Sequence, residues 1–164
     1  MIILGLDPGL ATLGYGVIRK EDRKKAEMLD YGIISTPKDE NLAVRLCMLE
    51  KGIKQIINKF KPDEIAVEEL FFAKNVKTGI AVAHARGVIL LTANKECGRL
   101  YEYTPLQIKQ ALTGYGRADK NQIQQMVKTL LGLKGVPKPD DAADALAVAL
   151  THAQTNKLGS LFSI

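Results

Sequence analysis

Four carboxylates close or open apolar segments of this chain. Asp7 ends the run Ile2-Ile3-Leu4-Gly5-Leu6 and leads into a Pro8-Gly9 turn, Glu68 ends Ile65-Ala66-Val67, and Asp141 and Asp144 open an Ala-rich stretch near the C-terminus. Asp141 and Asp144 stand three apart, so a helix presents both from one side of a single turn and they can share a ligand. Two carboxylates ~5 Å apart at an effective dielectric of ~20 repel by roughly 3 kcal/mol, so four gathered acids need cations or protons. An all-oxygen donor set, with no cysteine in it and no histidine near these acids in sequence, selects hard Mg²⁺ or Mn²⁺ over zinc. Two such ions suit phosphodiester hydrolysis, where one lowers the pKa of the attacking water and the other stabilises the leaving oxygen. The pattern points to a metal-dependent nuclease.

Each acid also has an ordinary explanation. Asp7-Pro8-Gly9 is a good turn sequence, Glu68 and Glu69 can solvate a strand end, and Asp140 or Asp141 can cap the following helix. Asp144 resists such an account. Ala142, Ala143, Ala145, Leu146, Ala147, Val148, Ala149 and Leu150 make its helix apolar nearly all round, no basic residue lies within a turn, and a buried carboxylate without a partner is unfavourable. His152 lies about 12 Å along the same helix and reads, like His84, as a packing or surface residue and not a ligand.

Around the acids lie residues suited to a polyanion. Lys109 and Lys120 flank the loop Gly114-Tyr115-Gly116-Arg117, whose glycines let backbone amides approach phosphate oxygens, although the same loop is also a plain interhelical turn. Lys74 and Lys77 are weaker candidates at a helix start. Phe71 and Phe72 follow the acidic strand end directly. Phenylalanine defaults to the core, but a ring beside the acids is placed to stack on an unpaired base.

The elements that must position these groups follow from periodicity. Strands are expected at residues 2 to 7, 14 to 18 and 28 to 34, the last two flanking a charged turn with Arg23-Lys24-Lys25. Leu42, Leu46, Leu49, Ile53, Ile56 and Phe60 mark an amphipathic helix ended by Lys61-Pro62-Asp63. A fourth strand at Ile65 to Glu68, a helix from about Val76 to Cys97 and a fifth strand near Leu100 to Tyr103 come next. Two helices are then expected, the second with Ile123, Met126, Val127, Leu130 and Leu131 on one face. Residues 132 to 139 link it to the last helix. This order implies an α/β fold, a mixed five-stranded sheet flanked by helices, and it resembles the ribonuclease H fold.

The 164 residues fit one domain, with a tail from about residue 156 that docks or frays. Lys and Arg outnumber Asp and Glu, 23 to 18, for a net charge of +5, and neutralising the four acids with cations leaves a more basic surface that suits nucleic acid. Cys47 and Cys97 are isolated within apolar stretches and read as buried thiols. No leader pattern and no run of ~20 apolar residues is seen, so a cytoplasmic protein is expected and membrane roles drop out. Gly79, Ala81, Ala83, Ala85 and Gly87 give the central helix small residues, for a dimer seam or for burial against the sheet.

Together, Ile3-Leu4-Gly5-Leu6-Asp7-Pro8-Gly9 with Gly14-Tyr15-Gly16, Val67-Glu68-Glu69-Leu70-Phe71-Phe72-Ala73-Lys74-Asn75, His84-Ala85-Arg86-Gly87 and Asp141-Ala142-Ala143-Asp144-Ala145-Leu146 closely resemble the RuvC family of bacterial Holliday-junction resolvases across nearly the whole chain. The resemblance implies a homodimeric endonuclease that nicks opposed strands of a four-way DNA junction, leaving 5′-phosphate and 3′-hydroxyl ends, in recombination and repair. It maps the metal-binding acids to Asp7, Glu68, Asp141 and Asp144, with Asp140 as the alternative to Asp141. It maps the basic residues at the scissile phosphate to Lys109 and Lys120, and the stacking aromatic to Phe71. A branch-migration motor is an implied partner. A ribonuclease H-like nuclease acting on RNA or another branched DNA, or a non-catalytic junction-binding protein, would share much of this pattern. An actin-like ATPase would need a second lobe.

Overall fold

A computed structural model of the chain describes residues 1–69, 76–155 and 164. Five strands, β1 (Ile2–Asp7), β2 (Thr12–Arg19), β3 (Glu27–Ser35), β4 (Glu64–Glu68) and β5 (Leu100–Tyr103), form one sheet in the order β3-β2-β1-β4-β5. The first three are an antiparallel meander, and β4 and β5 join parallel to β1. The helices are α1 (Leu42–Phe60), α2 (Val76–Glu96), α3 (Pro105–Thr113), α4 (Lys120–Leu131) and α5 (Asp140–Thr155). This is the mixed sheet expected from the sequence.

Alternation along the strands divides the core in two. Leu4, Leu6, Ile65 and Val67 pack under α1 and α2, while Ile3, Ala66 and Tyr103 pack under α3, α4 and α5. Period-two geometry therefore turns Asp7 and Glu68 toward the α5 face. The parallel register pairs Leu6 with Val67, so the next residues on each strand, Asp7 and Glu68, are neighbours.

α5 lies directly on the sheet because glycine leaves room for it. A β-carbon on Gly5 would sit 2.1 Å from the carbonyl oxygen of Ala145, and one on Gly14 would sit 2.0 Å from that of Asp141. Neither helix backbone can give way to such an atom, so these two glycines set the depth at which α5, and the acids in its first turns, meets β1 and β2.

Local signals end the helices near the expected places. Asn41 caps α1 by accepting from the Val44 amide, and Lys61 closes it in a left-handed conformation. Capping boxes, Thr104 with Gln107 and Asp119 with Gln122, start α3 and α4.

Several expectations are corrected. Cys47 is exposed and Cys97 half-buried, and neither is in a disulfide. Cys47 stands two residues before Leu49, about 200° round the helix from the buried Leu49, Ile53 and Ile57 stripe. Of the two histidines read as packing or surface residues, His152 is the packing one, fully buried, and His84 is the exposed one. The small residues of α2 divide between the two roles: Ala85 is buried with Ile89, Thr92 and Ala93, while Ala83 and Gly87 face outward. α2 is also more apolar than read, long and apolar enough by length and composition alone to cross a membrane, with a mean hydropathy of 1.3 in its most apolar window. Phe71, Phe72 and Lys74, and the tail from 156 to 163, lie outside the described residues. Ile164 donates its amide to the Leu100 carbonyl at 3.2 Å.

Candidate active site

Three elements deliver the acids to one place. β1 ends at Asp7, β4 ends beside it at Glu68, and α5 brings Asp141 and Asp144 over both from its first turns. One carboxylate oxygen from each of Asp7, Asp141 and Asp144 lies within 4.8 Å of the others. Glu68 joins through a side-chain hydrogen bond to Asp7. Asp141 contributes to this group, whereas Asp140 turns away, 3.1 Å from Gln124 Nε2 and within ion-pair distance of Lys120 and Lys138.

The electrostatics are those of like charges short of counter-charge. Burial, then the carboxylates of Glu68, Asp144 and Asp141, push the Asp7 pKa up to about 8. Burial chiefly raises Glu68 as well, while its bond to Asp7 acts the other way, so the pair holds on to a proton more readily than free carboxylates do. Asp144 is raised by burial despite an ion pair with Lys120, 3.2 Å from Nζ to Oδ2. The partner that Asp144 lacks within its own helix thus comes from the start of α4, 24 residues earlier. Burial works against the Lys120 ammonium, but Asp144 and Asp140 outweigh it and hold its pKa above the ordinary lysine value.

A cavity of about 210 Å³ opens beside the acids, with Glu68, Asp144, Lys109 and Lys120 on its wall and Ile108 and Ile123 behind them. Both sequence-predicted lysines therefore reach the site. Arg117 lies on the exposed loop between α3 and α4 and does not line this cavity. Arg86 of the His84-Ala85-Arg86-Gly87 motif pairs with Glu102 of β5, tying α2 to the sheet. Sequence reasoning missed the bed that Gly5 and Gly14 make for α5. The signal was there in principle, as glycines at inward strand positions opposite a helix of small residues. It missed Glu64 too, which faces the same side as Glu68 and receives His152 at 2.7 Å.

The acids fit hard divalent cations. Their donors are all oxygen, they converge from separate elements, and burial among like charges raises the Asp7 pKa, an unfavourable charge that a cation would offset.

Fold and cluster define a class: a ribonuclease H-like α/β domain with an acidic centre where the parallel strands end. Residues 3–152 match the family described as Crossover junction endodeoxyribonuclease RuvC. A protein of that name from Alkaliphilus oremlandii is 56% identical over 164 residues, covering 100% of this chain and 99% of its own. The structure described as T. thermophilus RuvC in complex with Holliday junction substrate superposes with a TM-score of 0.94 at 36% identity, covering 100% of this chain and 99% of that one. The yeast mitochondrial Holliday junction resolvase, at 17% identity and a TM-score of 0.69, shares the fold. The chain belongs to the RuvC family of crossover junction endodeoxyribonucleases, hydrolases that act on DNA.

Proposed function

We propose that this chain, as a single domain, resolves four-way DNA junctions by Mg²⁺-dependent hydrolysis that leaves 5′-phosphate ends, with Mn²⁺ able to substitute. The observation that carries the metal requirement is the convergence of Asp7, Asp141 and Asp144 oxygens within 4.8 Å, with Glu68 bonded to Asp7. These four acids are the proposed ligands, for two ions once substrate is bound. Divalent cations there supply Lewis acidity at the phosphate and a water of lowered pKa.

The rest is the work of side chains. Asp7 and Glu68 give up their shared proton to become full ligands. Lys120 and Lys109, on the cavity wall, orient the scissile phosphate and offset charge that grows on its oxygens. Arg117 contacts the backbone farther out. Phe71 keeps the role the resemblance implies, stacking on an unpaired base, and Lys74, placed by the sequence at a helix start, pairs with phosphate.

Opposed cuts require two sites related by a two-fold axis, so the active form is a homodimer. α2 supports this: Ile80, His84, Gly87 and Leu91 recur at spacings of four, three and four on its outward face, with Ile80 51% and Leu91 56% exposed. An apolar helical stripe left facing water is what a second copy would cover. The same stripe accounts for the apolar character of α2 without a bilayer, in keeping with a cytoplasmic enzyme. Association with a branch-migration motor follows from the family resemblance.

A labelled four-way junction incubated with the protein tests the proposal. Paired nicks that ligase can seal, dependent on Mg²⁺, are expected. Cleavage undiminished by chelator, or equal cutting of plain duplex and RNA hybrids, would refute it.

A further inference from the structure

Lys120 opens α4 with a side chain 54% exposed, and a lysine on a free four-carbon stem has rotamer entropy to lose before it can act at one point. Two carboxylates hold it. Its Nζ lies 3.2 Å from Asp144 Oδ2 and 3.3 Å from Asp140 Oδ2. Asp144 is a proposed cation ligand, so its charge is shared once cations are in place. Asp140 stands outside the three-oxygen cluster and keeps its charge for the lysine.

Asp140 is itself fixed. Its other oxygen, Oδ1, accepts from Gln124 Nε2 at 3.1 Å and lies 3.6 Å from Lys138 Nζ. Gln124 follows Lys120 by four residues, one helical turn, so the carboxylate spans the start of α4 and joins it to the first residue of α5. We infer that Asp140 is a positioning residue, which keeps the Lys120 ammonium at the rim of the acid cluster when Asp144 is engaged elsewhere. The inference rests on the role proposed for Lys120.

Single-turnover cleavage of a four-way junction by the full chain, across a Mg²⁺ titration, tests it with Asp140→Ala, Asp140→Asn, Lys120→Ala and the double variant Lys120→Ala with Asp140→Ala. Loss of one exposed ion pair should slow Asp140→Ala by about two- to fivefold. Asp140→Asn, which keeps an acceptor for Gln124, should be slowed alike. The half-saturating Mg²⁺ concentration should not move, and in the Lys120→Ala background the loss of Asp140 should add nothing, a non-additivity that a merely structural role would not produce. A wild-type rate in Asp140→Ala beside a slow Lys120→Ala overturns the inference and leaves the proposed function standing. So does additive slowing, a wild-type rate in Asp140→Asn alone, or a raised Mg²⁺ requirement, which would make Asp140 a ligand. A wild-type rate in Lys120→Ala removes the role of Lys120, and the inference with it.

Discussion

β4 starts with Glu64 and ends with Glu68, two glutamates on one face of one strand, both under α5. Their surroundings are opposite. At the far end of α5, the fully buried His152 places Nε2 2.7 Å from Glu64 Oε2 and Nδ1 2.7 Å from the Tyr103 hydroxyl, which in turn lies 2.9 Å from Thr155 Oγ1. A neutral imidazole satisfies both neighbours, its Nε2–H donating to Glu64 and its Nδ1 accepting from Tyr103. Burial keeps it neutral by lowering its pKa, against the pull of Glu64. At the near end, Glu68 meets Asp7 with Asp141 and Asp144 above, and among the described residues Lys120 is the cation paired with this group, through Asp144. The same residue type has a complete set of hydrogen-bond partners at one end of the strand and sits among like charges, open to a cation, at the other. The energy of holding the acid end together comes from the rest of the fold.

Breaking the acid end should give the largest effect. Asp7→Asn should lower junction cleavage by on the order of 10³-fold while junction binding persists, since a cation ligand is worth several kcal/mol in the transition state. Melting of the metal-free variant near neutral pH should show no loss of stability, because Asn is uncharged at a place where burial and the neighbouring carboxylates disfavour a charge. Cleavage at the wild-type rate would remove Asp7 from the mechanism.

Next comes the bed on which the helix rests. Gly14→Ala forces a β-carbon against the Asp141 carbonyl, and should cost about 1 to 3 kcal/mol by denaturant unfolding and weaken Mg²⁺ binding by calorimetry. Unchanged metal affinity would show that the acids tolerate a shifted helix.

At the histidine end, Tyr103→Phe removes the hydroxyl between His152 and Thr155. It should lower stability by roughly 1 to 2 kcal/mol and leave cleavage per folded molecule as it was. A cleavage defect at full folding would mean that the two ends are not separate in function.

The subtlest test is pH. Asp7 has its folded pKa raised from 3.8 to about 8, so its contribution to metal-free stability is fully present below about pH 4 and is lost as pH climbs through about 8. His152 has its folded pKa lowered from 6.5, so its contribution is present above that value and is lost as pH falls below it. Melting temperatures of the metal-free protein should therefore fall off on both sides. Asp7→Asn should flatten the alkaline limb alone, and the rise in melting temperature on adding Mg²⁺ should be larger near pH 9 than near pH 5. A Mg²⁺ effect independent of pH would dissociate the Asp7 proton from cation binding.

Much of this was written locally. Alternation and helical spacing carry their own geometry, so β1, α1 and α2 could be placed within a residue or two, and the three-residue step from Asp141 to Asp144 puts both acids on one side of a helix. Cys47 was misread because an apolar neighbourhood in sequence is not a face. His152 has its partner Glu64 88 residues away, so local spacing does not separate packing from surface for it.

The chain alone determined which groups are present, the elements that carry them and the hard-cation chemistry they suit, since these depend on residue type and on contacts within a turn or a strand. Tertiary structure decided which acids meet, that Lys120 answers Asp144, that Glu64 receives the His152 N–H while Glu68 meets Asp7, and how deeply α5 sits. Those outcomes depend on strand register and on the space left by two glycines, and both exist only when distant segments pack.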